Sequence, residues 1–173
     1  MNFNMSICFN VSVVLFALAL VFGTSADDLI PLGSVYECAH DFKGEVFVKN
    51  DREIIIKGFH YDGRGPAAWF HGQLKGSKGV YTSDPDKYMT LPYPDGTCDR
   101  LQVGRRYRNK EITLILPVSI KKFQTIGILC YQYCHNFGHV IIPEDLKVPA
   151  APAWLPLPKE CPKPKYRACE ETG

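Results

Sequence analysis

From residue 44 the chain alternates apolar and polar side chains. Gly44-Glu45-Val46-Phe47-Val48-Lys49 has the two-residue period of a half-buried strand. Asn50-Asp51-Arg52 supplies turn residues. Glu53-Ile54-Ile55-Ile56-Lys57 then runs on as β-branched residues into Phe59-His60-Tyr61, so these segments predict a hairpin. Asp62-Gly63-Arg64-Gly65-Pro66 breaks the pattern with turn residues, and Ala67-Ala68-Trp69-Phe70-His71 reads as a short aromatic strand, with Trp69 and Phe70 in the core. Residues 75–104 are rich in Gly, Pro, Asp and Ser, which makes them loop with room for one short edge strand. Glu111 to Leu116 alternates and stops at Pro117. Thr125 to Tyr131 forms the next strand, and Val140-Ile141-Ile142 closes the series before Pro143. Helical periodicity is absent, apart from room for one turn at Ser119 to Phe123. Short strands separated by turn signals predict an all-β fold, an antiparallel sandwich or small barrel with long loops. From Val148 onward, Pro149, Pro152, Pro156, Pro158, Pro162 and Pro164 predict an extended, polyproline-like tail.

The N-terminal pattern is different. Asn10 to Phe22 is an almost unbroken apolar run that ends in Gly23-Thr24-Ser25-Ala26. It is shorter than the roughly 20 residues of a membrane span and has the length of a signal-peptide core. Met1 to Ser6 lacks the usual Lys or Arg. The expected organisation is a signal peptide at 1–26, a β domain at 27–147 and a Pro-rich tail at 148–173. The product is then secreted and extracellular, with no membrane span after signal removal. The sequon Asn10-Val11-Ser12 lies inside the leader. The 173 residues carry a formal net charge of +2, which gives no electrostatic case for nucleic acid. The one basic cluster, Arg105-Arg106-Tyr107-Arg108-Asn109-Lys110, reads as a solvated turn rather than an anion site.

Secretion changes the reading of the cysteines. Of the seven, Cys8 falls in the leader; Cys38, Cys98, Cys130, Cys134, Cys161 and Cys169 remain. An even number in an oxidising compartment makes structural staples the default. Cys161 and Cys169 flank Pro162 to Ala168 and are expected to close a local loop. Cys130 and Cys134 are four apart. On a continuous strand that places their Cα atoms about 13 Å apart, whereas a disulfide needs about 7 Å or less. The expected pairing gives Cys134 a distant partner, Cys38 or Cys98. Cys130 then takes the remaining one or stays buried and reactive.

Two other groups of residues are candidates for chemistry. The histidines are His40, His60, His71, His135 and His139, of which His135 and His139 form the candidate metal pair, for copper or haem, across a turn. The spacing matches no zinc motif. Tyr61, Asp62 and Arg64 form a candidate binding loop, in which Asp62 suits an Asx-turn and the glycines allow close backbone approach. The nucleophile-elbow, P-loop and dinucleotide fingerprints are absent, as is an EF-hand, so hydrolase chemistry has no support.

Two long phrases carry a resemblance. One is Ile54-Ile55-Ile56-Lys57-Gly58-Phe59-His60-Tyr61-Asp62-Gly63-Arg64-Gly65-Pro66-Ala67-Ala68-Trp69-Phe70-His71-Gly72. The other runs from Cys130 through Phe137-Gly138-His139-Val140 to Pro143. With Gly44 to Val48 before them and Tyr107 to Pro117 between them, they resemble, in order, the DM13 domain, a β-rich extracellular module of the Skeletor type. The resemblance covers roughly Val35 to Pro143. It implies a β-sandwich-like fold and a role in extracellular redox or electron transfer, with the family's active cysteine at Cys130. The family's Trp before that cysteine is Leu129 here, and Cys134 is additional to the family pattern. Two functions follow as expectations. One is a secreted, non-enzymatic module that binds an extracellular protein or matrix component. The other is a redox domain acting through Cys130, with His135, His139 or Arg108 as sources of positive charge.

Overall fold

The computed structural model describes residues 29–77, 87–93 and 95–166. The expected signal peptide lies outside the described residues, as does Cys169. Two antiparallel sheets pack face to face as a sandwich and do not close into a barrel. The first contains β1 (Ile30–Ser34), β3 (Lys43–Asn50), β4 (Glu53–Tyr61) and β7 (Tyr107–Ile115), in the order β1-β3-β4-β7. The second contains β2 (Tyr36–Glu37), β5 (Ala68–Leu74), β6 (Tyr88–Thr90), β8 (Phe123–Cys130) and β9 (His135–Ile141), in the order β2-β9-β8-β5-β6. Among the described residues, no helix is long and apolar enough to cross a membrane.

The β3–β4 hairpin follows the alternation that predicts it. Val46 faces Ile56 and Val48 faces Ile54, and all four are buried between the sheets. Phe47 and Ile55 form the pair on the other face, where the Lys57 ammonium lies over the Phe47 ring. At the turn, the Asn50 side chain accepts from the Arg52 N–H at 3.0 Å and donates to Glu53 at 2.9 Å. From the second sheet, Ala68, Phe70, Ile126, Ile128 and Cys130 fill the same core.

The reverse face of β5 and β8 carries a second, smaller cluster of Tyr88, Leu129, Tyr131 and Cys134. Trp69 lies on this face, opposite Leu129, and is only partly buried, so of the two expected core aromatics only Phe70 enters the main core. Within this cluster His71 Nδ1 is 2.9 Å from the Tyr131 hydroxyl, which lies 3.1 Å from the Thr90 hydroxyl.

Some boundaries differ from expectation. β6 is the short edge strand inside the long loop, and Ile120–Lys122 form a 3-10 turn. β7 begins at Tyr107, so Arg108 and Lys110 are exposed strand residues rather than part of a turn. Pairing with β4, at Tyr61↔Tyr107 and Phe59↔Lys110, holds them extended whatever their charge. β9 begins at His135, because pairing with β8 extends the strand through residues that look turn-like. β1 and β2 are short, and neither carries a clear alternation.

The expected Cys161–Cys169 loop is also corrected. Cys161 bonds Cys98, 63 residues away, and a sulfur forms one disulfide only. The tail runs across the sandwich instead of folding back on itself. Pro149 accepts from the Asp51 N–H at 2.9 Å, and the Arg52 guanidinium donates to the carbonyls of Leu155 and Pro156 at 3.1 and 3.2 Å. This path carries Cys161 to the loop that holds Cys98.

Candidate functional site

β8 ends at Cys130, between Ala68 on β5 and His135 on β9. The chain turns at once: the Tyr133 N–H donates to the Cys130 carbonyl at 3.3 Å, and Cys134 takes φ +45°. The chain therefore does bend between Cys130 and Cys134, against the strand-spacing premise. The two sulfurs still separate, because Cys130 faces the main core while Cys134 packs in the reverse-face cluster. Cys134 is disulfide-bonded, to neither Cys38 nor Cys98, which corrects both expected partners. Cys38 donates its thiol to the Tyr36 carbonyl at 3.9 Å. Cys130 is a free thiol, with none of its surface open to solvent.

Cys130 forms part of the wall of a cleft of about 450 Å³, together with His40, Arg64, Pro66, Tyr133, His135 and Phe137. The two phrases that carry the family resemblance meet here. The first supplies the loop from Asp62 to Pro66. The Asp62 carboxylate accepts from the Arg64 N–H at 2.8 Å, the expected Asx-turn. Both of its oxygens lie 3.2 Å from His40 Nδ1, which fixes the imidazole against the loop. The Gly65 N–H donates to the Tyr61 hydroxyl at 2.9 Å. A Cβ at Gly65 would sit 2.5 Å from both the Phe137 ring and that hydroxyl, so only glycine lets the loop lie this close. Gly63, at φ +74°, is pressed against the Arg105 backbone. The second phrase supplies Cys130, Tyr133, His135 and Phe137, with the Phe137 and His40 ring centroids 4.1 Å apart.

The polar groups of the cleft are mostly cationic or neutral. Arg64 is exposed, its Nε 3.9 Å from Asp62, and no carboxylate lines the wall. Burial pushes the Tyr61 phenol up to about 12, opposed by the Gly65 N–H and reinforced by the charges of Asp62 and Cys130. Tyr61 is therefore a neutral phenol that supports the loop beside the sulfur.

The other candidates fall differently. Of Tyr61, Asp62 and Arg64, only Arg64 lines the cleft; Tyr61 is buried and Asp62 is engaged within the loop. His135 and His139 do not converge. His135 is paired with Cys130, whereas His139 is paired with Gly127, three positions back along β8 and so on the opposite face. A bulge at Phe137 produces this switch. His139 is instead buried, stacked on Tyr36 at 5.8 Å, bonded to Asn136 at 2.9 Å, and its pKa is lowered by desolvation. Arg108 is an exposed β7 residue that does not line the cleft.

Among the described residues, no three His, Cys, Asp or Glu side chains are placed to hold a metal ion, so the donor set does not fit copper. His40, Pro66, Tyr133 and Phe137 were not singled out for this site by sequence. His40 gave no signal because it stands in an irregular loop at φ +61°, outside any strand period.

A family model described as "Electron transfer DM13" matches residues 35–142. Two Drosophila melanogaster proteins, Skeletor isoforms B/C and Skeletor isoforms D/E, are each 32% identical to the chain over 120 residues, which is 68% of its length. The chain spans only 14% and 8% of those two proteins. No solved structure matches it. The sandwich, the glycine-rich loop and the cysteine-bearing strand end all fall within the matched span, and the chain belongs to the DM13 family.

Proposed function

We propose that the protein is a secreted redox domain in which Cys130 is the electroactive group, exchanging with disulfides in the extracellular space. The observation that carries this reading is the free Cys130 thiol in the wall of a cleft whose lining includes Arg64, His40 and His135. An oxidising compartment normally closes cysteines into bridges, so a thiol left at Cys130 in a chain that also forms Cys98–Cys161 favours reactivity over a purely matrix-binding module. A thiolate is the nucleophile in exchange. The family's description as an electron-transfer domain supports the same assignment.

The reaction has two exchange steps: the one that follows, and attack of a small thiol on the resulting mixed disulfide, which returns Cys130 to the thiol as the bound half leaves in a new disulfide. The Cys130 thiol loses its proton to solvent, and the thiolate attacks one sulfur of a disulfide. A new S–S bond forms at Cys130 as the old one breaks, and the departing thiolate carries away the electron pair. Cys130 is oxidised and the partner is reduced. The test is Cys130→Ser in the full secreted protein. In a Cys38→Ser background, exchange with a small disulfide should vanish while the near-UV circular dichroism of the aromatic core is kept. Undiminished exchange in the variant rules the assignment out.

A further inference from the structure

The cleft also bears on what kind of disulfide Cys130 meets. The Cys130 side chain is covered even on the cleft side, so a reagent reaches it only by entering the cleft and displacing part of its wall. The charged side chain in that wall is Arg64, which is exposed. Three more exposed arginines flank the same loop. Arg100 donates to the Pro66 carbonyl at 2.7 Å. Gly104 donates to the Gly63 carbonyl at 2.8 Å, which lays Arg105 against the loop. The Tyr61↔Tyr107 register brings Arg106 alongside. The acids of these segments are Asp62, already engaged by His40 and the Arg64 N–H, and Asp99 beside Arg100. Arg64 thus stands in a wall that holds no carboxylate, and clefts lined by one sign of charge concentrate ligands of the other. The cleft, about 450 Å³ and open to solvent, has room for a small molecule.

We infer that the substrate of the Cys130 site is a small disulfide bearing carboxylates, drawn in by Arg64 and the arginines around it. This rests on the redox reading of Cys130. In the exchange, the carboxylate-bearing disulfide loses one of its halves as a thiolate, and the other half stays bonded to Cys130, its carboxylate facing Arg64.

The test uses three disulfides on the full secreted protein: the bis-carboxylate dithiobis(nitrobenzoate), neutral 4,4′-dithiodipyridine and cationic cystamine. Adduct at the Cys130 peptide is followed by mass spectrometry, and each rate is divided by that of the same reagent with the denatured chain. The normalised rate should be at least about 10-fold higher for the bis-carboxylate than for cystamine at low salt. That ratio should shrink as salt is added, and shrink again in Arg64→Gln. Arg100→Gln, at the side chain that bonds the lining Pro66, gives the same reading should the loop variant fold poorly. Equal normalised rates, or a ratio unchanged by salt and by both substitutions, overturn the charge selectivity and leave the redox reading standing. No adduct with any of the three reagents overturns both.

Discussion

Cys130 and His135 stand directly opposite one another on β8 and β9, although only four residues connect them. Directly opposed residues on antiparallel strands share a face, with Cβ atoms about 5 Å apart. The tight turn at 131–134 therefore does two things at once. It sets His135 opposite Cys130 in the wall of the cleft, and it throws Cys134 onto the reverse face, where that cysteine is disulfide-bonded. Neighbouring cysteines thus acquire different fates from a change of face.

The loop beside this pair depends on one phenol. Tyr61→Phe removes the acceptor of the buried Gly65 N–H. Leaving a buried donor unpaired costs about 1–3 kcal/mol, so a loss of that size is expected in urea unfolding, together with changed access to Cys130. Unchanged stability and unchanged native alkylation of Cys130 would show that the bond does not support the loop.

Two glycines should resist substitution for steric reasons alone. In Gly65→Ala the new methyl meets the Phe137 ring and the Tyr61 hydroxyl, both at 2.5 Å. In Gly127→Ala it meets the Gly138 carbonyl oxygen, a backbone atom that cannot swing aside. Overpacking costs typically about 1–3 kcal/mol. Gly127→Ala should lie at or above the upper end and disturb β8–β9 pairing, read by amide hydrogen exchange. Gly76→Ala, where a Cβ meets nothing within 4 Å, is the control for space, although its φ of +82° still carries backbone strain.

The Cys98–Cys161 bridge closes a loop with a sequence separation of 63. The chain-entropy relation gives about 4 kcal/mol for a loop of that length. Replacing both cysteines by alanine should lower unfolding free energy by roughly 2–5 kcal/mol and loosen the tail held by Arg52. Peptide mapping of the native protein should recover Cys98 joined to Cys161; recovery of Cys161 joined to Cys169 would contradict the tail's path.

Acid should destabilise the fold earlier than its carboxylates require. Burial lowers the His71 pKa from 6.5 to about 3, and His139 is lowered by the same cause. Between those values the unfolded chain binds a proton at His71 that the folded chain refuses. Stability is therefore whole above pH 6.5 and is lost as pH falls toward 3, by up to about 1.4 kcal/mol per pH unit per group. Urea midpoints taken between pH 7 and about 5, above the carboxylate range, should fall with pH, and less steeply in His71→Gln. A flat profile in the wild-type chain would show that His71 is reached by water.

Much of this was legible in the chain, for identifiable reasons. The β3–β4 hairpin could be read because Val46, Val48, Ile54 and Ile56 keep a strict period on one buried face. Asp62 could be read because its Asx-turn is local. Other features depend on partners remote in sequence. Arg108 and Lys110 are strand residues only because β4 lies beside them, and His139 leaves the site only because a bulge at Phe137 shifts the register. The Cys161 partner was misread for a related reason: proximity along the chain is a poor guide when a proline-rich segment stays extended.

The central claim is that Cys130 cycles between thiol and mixed disulfide while the structural bridge stays closed. The most direct measurement equilibrates the purified full-length protein in thiol–disulfide buffers of graded potential, quenches with an alkylating agent and quantifies the Cys130 and Cys98–Cys161 peptides. The account predicts a reversible transition at Cys130 across a range in which Cys98–Cys161 remains oxidised throughout. Cys130 recovered as an unchanging thiol at every potential, or locked in a permanent bridge, would contradict it.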